Sequence, residues 1–98
     1  MNIIKTTEGT TLNIALEGRL DTTTAPQLEV ELKGSMDSVT ELNMDFEKLE
    51  YLSSAGLRVI LAAQKTMNKQ GKMVVRHVNE TIREIFEVTG FIDILTIE

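Results

Sequence analysis

The stretch Tyr51-Leu52-Ser53-Ser54-Ala55-Gly56-Leu57 separates an extended segment from a helical one. Upstream of it, residues 41–46 alternate polar and apolar side chains, and this period of two predicts a β-strand. Downstream, from Leu57, apolar residues recur at the i, i+3, i+4 spacing of an amphipathic helix that is expected to end near Gly71. The chain is therefore predicted to turn from strand to helix at its two adjacent serines.

Ser53 and Ser54 stand where helix N-cap residues occur, because a hydroxyl oxygen accepts a hydrogen bond from a free backbone N–H of the first turn. Ala55 and Gly56 carry almost no side chain, so we expect this turn to be open to close approach by another molecule. The positive end of the helix would accommodate a phosphoryl group on Ser54, which would add about two negative charges to the surface. The pattern therefore fits either a plain helix cap or a modifiable switch.

The first part of the chain predicts a hairpin and then a helix. Residues 2–7 and 10–16 flank Glu8-Gly9 and have the pattern of paired strands. The pattern Thr24-x-x-Gln27 predicts a capping box, in which the threonine hydroxyl would accept a hydrogen bond from the first helical turn. Pro26 fits that first turn, where its missing N–H costs little.

The last part predicts a short buried strand, a helix and a final strand. Residues 73–75 are the first residues of the buried strand. The helix starts at Asn79 or Thr81 and ends at Gly90, and residues 92–97 supply the final strand. The whole order predicts one α/β domain over residues 1–98. Its mixed, mostly parallel sheet of about five strands would be packed by about three helices and would begin with the hairpin.

In such a sheet, the helix N-termini gather beyond the carboxyl ends of the parallel strands, where ligands usually bind. Ser54 and the turn at residues 21–24 are therefore expected to lie at the same edge. Asp21 has two interpretations, as a carboxylate that caps the first helix or as a polar contact to a nucleotide or a protein partner. Arg58 is interpreted as a solvated helix cation or as the partner of a phosphate on Ser54.

Composition restricts the classes of function. The net charge of −5 opposes nonspecific binding to nucleic acid and to anionic membranes. The chain has no cysteine, which excludes disulfides and thiolate metal sites, and no apolar run long enough for a signal peptide or a membrane span. We therefore expect a cytoplasmic protein with no nucleic-acid partner and no direct membrane insertion.

Patterns that support catalysis are missing. His77, the only histidine, is interpreted as an ordinary loop residue with no second catalytic partner. The sequence contains no glycine-rich phosphate loop, no metal-ligand spacing and no supported Ser/His/Asp arrangement. We expect no enzymatic activity, no metal and no cofactor.

Residues 45–60, DFEKLEYLSSAGLRVI, resemble the signature of the STAS domain, the family of bacterial anti-sigma factor antagonists. Residues 16–25, LEGRLDTTTA, resemble the family's Gly-x-Leu/Ile-Asp turn into the first helix. The resemblance runs from about Ile3 to Ile97. It implies a STAS fold and a regulatory protein that binds an anti-sigma factor with serine kinase activity when it is dephosphorylated.

The resemblance also implies that this partner phosphorylates Ser54, ending the binding, and that a PP2C-like phosphatase removes the phosphate. The residues it places around the phosphorylated serine, as partner-binding or neighbouring positions, are Asp21, Thr24, Ser53, Ala55, Gly56 and Arg58.

Two departures from the family pattern keep alternatives open. Ser53 occupies the position that is usually Asp, and Arg58 the position that is usually Gly. The uncharged Ser53 supports a second hypothesis, in which the protein is a STAS subunit of a lipid or solute transport system and is not phosphorylated. It also leaves open whether Ser53 or Ser54 is the modified serine. A nucleotide-binding module or hydrolase at the edge of Asp21 and Ser54 ranks last, because the sequence supplies no base, metal ligands or phosphate loop.

Overall fold

Four strands form one sheet in the order β1-β2-β3-β4 in the computed structural model, which describes residues 1–98. β1 pairs antiparallel with β2 as a hairpin, while β2, β3 and β4 run parallel and are joined by helices. The predicted mixed, mostly parallel sheet with three helices is confirmed. The elements are β1 (Asn2–Glu8), β2 (Thr11–Leu20), α1 (Ala25–Lys33), β3 (Glu41–Leu52), α2 (Ser54–Gln70), β4 (Lys72–Arg76), α3 (Glu80–Thr89) and a 3-10 turn (Phe91–Asp93).

One face of the sheet is apolar and the other is mostly polar, because side chains alternate between the faces along each strand. The helices pack on the apolar face, where a single core of 24 buried residues forms. Its strand members include Leu12, Ile14 and Leu16 of β2, Leu42, Met44 and Phe46 of β3, and Met73 and Val75 of β4. The opposite face, called here the open face, carries side chains such as Asn13, Asn43, Asp45 and Arg76.

The helices begin and end close to the predicted residues. Asn79 caps α3, since its Oδ1 accepts a hydrogen bond from the Ile82 N–H at 2.9 Å. Gly90 ends the same helix in the left-handed conformation, with φ of +81°, which glycine adopts without steric cost. The buried stripe of α2 includes Gln64 and Met67, as its spacing predicts.

Two strands are longer than predicted. β2 continues through Gly18 to Leu20, and β3 continues past Phe46 to Leu52. The pairing register between them shifts twice, and Gly18 takes φ of +103° at the second shift. Such bulges interrupt the polar and apolar alternation, so the two-residue period ends earlier than the strand.

The predicted fifth strand is wrong. Residues 92–97 form most of the 3-10 turn and then an isolated parallel bridge from Ile97 to Val75. From position 91 onward the buried or partly buried apolar residues are Phe91, Ile92, Leu95 and Ile97. The first three follow a helical spacing, and only Leu95 and Ile97 alternate as strand residues would. The sheet therefore has four strands, with one tail residue added to its edge.

Candidate functional site

The two sequence motifs meet where β2 and β3 end side by side. In the parallel register, Arg19 lies opposite Tyr51 and Leu20 opposite Leu52. The backbone N–H of Ser53 donates a hydrogen bond to the Leu20 carbonyl oxygen at 2.9 Å. The turn after β2 and the start of α2 therefore form one continuous edge, called here the switch edge (residues 19–24 and 51–58).

Ser53 is the residue that caps α2. Its backbone is extended, with φ of −93° and ψ of 173°, and its Oγ accepts a hydrogen bond from the Gly56 N–H at 3.4 Å. That distance is longer than the usual 2.7–3.2 Å, so the cap is a weak one. Ser54 is the first residue of the helix and is exposed, and its hydroxyl is not used in the cap.

Gly56 has a different role from the one predicted. It is buried, and a Cβ atom at this position would lie 2.7 Å from Leu20 Cγ and 2.8 Å from Leu52 Cδ1. The glycine therefore lets the first turn of α2 pack against the ends of β2 and β3, rather than opening that turn to a partner. Ala55 is only half-buried, and the exposed surface of the turn is made by Ser54 and Arg58.

Asp21 and Thr24 hold each other in the turn before α1. Asp21 Oδ1 accepts hydrogen bonds from the N–H groups of Thr23 at 3.0 Å and Thr24 at 3.1 Å. In return, Thr24 Oγ1 accepts a hydrogen bond from the Asp21 N–H at 2.9 Å and donates one to the Arg19 carbonyl oxygen at 2.8 Å. The Asp21 carboxylate therefore closes the turn before α1 and does not cap a backbone N–H of the helix itself.

The predicted capping box is wrong. Thr24 has helical backbone angles and its side chain makes no cap hydrogen bond to α1, because its hydroxyl is directed back to the end of β2. The Thr24 N–H is the largest influence that lowers the pKa of Asp21 below its ordinary value, with the Thr23 N–H and the Arg19 charge acting in the same direction against some desolvation. The Asp21 carboxylate is therefore an ionised anchor of the turn.

Arg19 and Tyr51 form a stacked pair on the switch edge that the sequence did not predict. The Arg19 guanidinium carbon lies 4.4 Å from the centroid of the Tyr51 ring. An exposed cation–π contact contributes about 0.5–1 kcal/mol. A signal was available in the two motifs, because Arg19 stands two residues before Asp21 and Tyr51 stands two residues before Ser53.

Arg58 lies one helical turn after Ser54, and residues at i and i+4 share a face of a helix. It is exposed and forms no ion pair. Together with Ala55 it lines a hollow of about 190 Å³ between the N-terminal ends of α1 and α2. The Ser54 hydroxyl and the Arg58 cation therefore lie on the same exposed surface.

The group with metal-ligand chemistry lies elsewhere, beside the open face. Single ligand atoms of Asp45, Glu47 and His77 lie within 4.8 Å of one another. His77 lies in the loop after β4, as predicted, and its Nδ1 is 2.8 Å from Asp45 Oδ1, a carboxylate contact that the sequence did not predict. All three side chains are exposed or half-buried, and the pairing favours a protonated imidazole, which competes with metal binding.

The pair shifts both pKa values. The hydrogen bond to Asp45, followed by its negative charge, raises the pKa of His77 above its ordinary value. Partial burial raises the pKa of Asp45, but the Glu47 N–H, the His77 hydrogen bond and nearby positive charges outweigh it, so the net pKa is lowered. The arrangement is an ion pair that links the end of β4 to β3.

No helix has both the length and the apolar composition required to cross a bilayer.

A family model for the STAS domain matches residues 2–98, nearly the whole chain. The chain belongs to the STAS domain family. The family resemblance predicted from the two motifs is confirmed. This STAS domain is 40% identical over 55 residues to BtrV of Bordetella bronchiseptica, which is assigned as an anti-sigma factor antagonist. That match covers 55% of the chain and 47% of BtrV, so it spans about half the length of the relative.

Solved structures show the same fold. An anti-sigma factor antagonist from Mycobacterium paratuberculosis superimposes with a TM-score of 0.88 at 23% identity, covering 98% of this chain and 83% of that one. The Bacillus cell fate determinant SpoIIAA in its phosphorylated form superimposes with a TM-score of 0.78 at 20% identity, covering 99% and 91%. The fold is therefore shared over almost the whole chain with solved proteins that include an anti-sigma factor antagonist.

Proposed function

We propose that this STAS domain is a cytoplasmic anti-sigma factor antagonist that binds an anti-sigma factor with serine kinase activity and is released when that partner phosphorylates Ser54. The observation that carries the proposal is the position of Ser54, whose exposed hydroxyl stands at the first residue of α2 while Ser53 does the capping. A PP2C-like phosphatase would reset the switch. The relatives named as antagonists, and the solved phosphorylated form of SpoIIAA, support this choice over a catalytic role.

The chemistry of the edge suits a switch that acts through charge. A phosphoryl group would add about two negative charges at the positive end of α2, where the free N–H groups and the helix dipole tolerate an anion. Because Ser54 is exposed, the added group would not disturb the buried core. It would instead oppose a close interface by desolvation and by repulsion of acidic groups on the partner.

The neighbouring residues divide into two groups. Gly56 and Thr24 set the shape of the edge, and Asp21 anchors its turn through backbone hydrogen bonds. Arg58 and the surface of Ala55 flank Ser54 and are proposed to contact the partner directly. Ser53 caps with a neutral hydroxyl where the family usually has Asp, so the partner would meet one negative charge fewer at this edge.

The test compares Ser54→Asp with Ser54→Ala in calorimetric titrations against each serine-kinase anti-sigma factor that the source organism encodes. Ser54→Ala is expected to bind within about threefold of the unmodified protein and Ser54→Asp at least about tenfold more weakly, which corresponds to about 1.4 kcal/mol. Ser53→Ala, which changes the neighbouring hydroxyl, is the matched control. Intact-mass analysis after incubation of each protein with the partner and ATP reports the phosphate itself. Equal affinities of the two Ser54 variants, together with no added phosphate, would exclude the switch.

The neutral Ser53 cap favours one alternative, a STAS subunit of a lipid or solute transport system that works without phosphorylation. Under that function, the protein isolated from its own cells would copurify with an ATP-binding transport subunit. It would carry no phosphate on Ser54 under any growth condition, and Ser54→Asp would retain that association.

A further inference from the structure

The switch edge carries an exposed aromatic side chain beside an arginine. Tyr51 is the chain's only tyrosine and is 36% exposed, whereas Phe46 and Phe86 are buried and Phe91 is half-buried. The guanidinium of Arg19 stacks on its ring at 4.4 Å, and 60% of the Arg19 side chain is exposed. This pair is the one place on the chain where an exposed cation is held against an accessible aromatic surface.

Backbone contacts hold the two residues of the pair in position. Arg19 and Tyr51 are neighbours in the parallel register of β2 and β3, and the Arg19 carbonyl oxygen accepts the hydrogen bond from Thr24. The closest approach of Arg19 to a carboxylate is 4.0 Å, from its Nε to Asp21 Oδ2. The stacked guanidinium therefore keeps hydrogen-bond donors available, and little side-chain entropy remains to be lost when it binds another group.

Tyrosine and arginine are the residue types, with tryptophan, that most often dominate the affinity of protein interfaces. A stacked guanidinium binds carboxylate groups in a bidentate geometry, while the tyrosine ring offers apolar area at low entropic cost. Although the chain has a net charge of −5, the switch edge carries two exposed cations, Arg19 and Arg58. A ligand for this pair is therefore an acidic side chain beside an apolar one.

We propose that the Arg19–Tyr51 pair is an anchor that receives an acidic side chain and an adjacent apolar side chain of the anti-sigma factor, three residues from the serine that ends the contact. This inference rests on the proposed function and names the chemistry by which the same partner is recognised. The anchor positions the partner over the switch edge. A phosphate on Ser54 would then lie close to the acidic side chain of the partner and repel it.

The test is calorimetric titration of the full chain with the purified anti-sigma factor that binds it in the Ser54 experiment. Arg19→Gln keeps most of the side-chain length and removes the charge, and we expect it to weaken binding at least tenfold. Arg19→Lys, which keeps the charge but loses the bidentate geometry, is expected to recover only part of that loss. Tyr51→Leu should weaken binding about as much as Arg19→Gln, while Tyr51→Phe, which keeps the ring, should stay within about threefold of the unmodified protein.

Arg83→Gln on α3 removes an equivalent exposed charge away from the edge and is the matched control, with no change expected. Thermal unfolding of every variant checks that the fold is retained. If Arg19→Gln and Tyr51→Leu bind as tightly as the unmodified protein while Ser54→Asp does not, the anchor is refuted and the switch stands. If the unmodified protein binds no serine-kinase anti-sigma factor, both are overturned.

Discussion

The backbone N–H of Ser53 donates a 2.9 Å hydrogen bond to the carbonyl oxygen of Leu20, which joins the cap of α2 to the last residue of β2. The turn that follows Leu20 is closed by the reciprocal hydrogen bonds of Asp21 and Thr24. A change in either motif therefore acts on the geometry of the other. The position of Ser54 depends on this shared backbone edge.

Gly56→Ala tests how closely α2 must approach that edge. Alanine favours a helix over glycine by about 1 kcal/mol, but its Cβ would lie 2.7 Å from Leu20 Cγ and 2.8 Å from Leu52 Cδ1. Overpacking of a buried position usually costs about 1–3 kcal/mol. We expect a net decrease of about 1 kcal/mol in the free energy of unfolding, measured by urea denaturation.

Gly34→Ala is the control for this substitution. Gly34 ends α1 with φ of −79°, and the nearest atom to an added Cβ is the Val30 carbonyl oxygen at 3.4 Å. Alanine is expected to leave stability unchanged or to raise it by about 0.5 kcal/mol. A Gly56→Ala protein as stable as Gly34→Ala would show that α2 can shift away from β2 and β3 without cost.

Two helix caps of different quality allow a second prediction. Ser53 accepts a single cap hydrogen bond at 3.4 Å, whereas Asn79 accepts one at 2.9 Å and also donates to the Leu49 carbonyl oxygen at 3.0 Å. We expect Ser53→Ala to cost about 0.5 kcal/mol and Asn79→Ala about 2 kcal/mol in urea denaturation. Similar costs would indicate that the long Ser53 cap is stronger than its geometry suggests.

The cap position also explains what the family's usual Asp would do. In Ser53→Asp, a carboxylate would replace the hydroxyl at the positive end of α2, and we expect it to raise the free energy of unfolding by about 0.5 kcal/mol. It would also add a negative charge next to Ser54. Lower stability of Ser53→Asp than of the unmodified protein would mean that the edge is built specifically for a neutral cap.

The sequence predicts most of this fold because its helices have strong apolar periodicity and clear end signals. Residue type alone predicts the end of α3 at Gly90 and gives Asn79 as one of two candidate starts, with Thr81 as the other. The errors occur where tertiary contacts override local pattern. The predicted last strand is absent because residues 91–95 pack by helical spacing. β2 and β3 are longer than predicted because bulges interrupt their polar and apolar alternation.

The candidate site was predictable as a pair of motifs but not as a surface. The adjacent small residues Ala55 and Gly56 predict an open turn, yet side chains from β2 and β3 occupy the space beside Gly56 and require a glycine there. The stacking of Arg19 on Tyr51 and the pairing of His77 with Asp45 join residues 32 positions apart. Such contacts depend on strand register, which a single sequence with bulged strands does not define.

Phosphorylated protein should reveal a role for Arg58. Ser54 and Arg58 are an i, i+4 pair, and such ion pairs on exposed helices contribute about 0.2–0.5 kcal/mol. A phosphate carries about two charges, so we expect Arg58→Gln to destabilise the Ser54-phosphorylated chain by about 0.5–1 kcal/mol and the unphosphorylated chain by less than about 0.3 kcal/mol. Thermal unfolding of both forms measures the difference, with Arg83→Gln as the control. An equal loss of stability on Arg58→Gln in both forms would show that this arginine does not form an ion pair with the phosphate.

The ion pair of His77 and Asp45 predicts a specific dependence of stability on pH. The pKa of His77 is raised in the folded state, so its contribution is complete below the unfolded pKa of about 6.5 and is lost as the pH rises through the folded pKa. The pKa of Asp45 is lowered, so its contribution is present above the unfolded pKa of about 3.9 and is lost as the pH falls through the folded pKa. The pair should therefore stabilise the fold most between about pH 4 and about pH 6.5.

His77→Asn tests this pH dependence, because His77 has φ of +59° and asparagine tolerates that left-handed conformation better than most residues. We expect the free energy of unfolding of the unmodified protein to fall relative to His77→Asn as the pH is raised from about 6 to about 8.5, since only the unmodified protein releases the imidazole proton. The difference should shrink at high salt, because both side chains are more than a third exposed and their attraction is screened. Urea denaturation across this range measures both curves, and parallel curves would show that the 2.8 Å contact carries no linked proton.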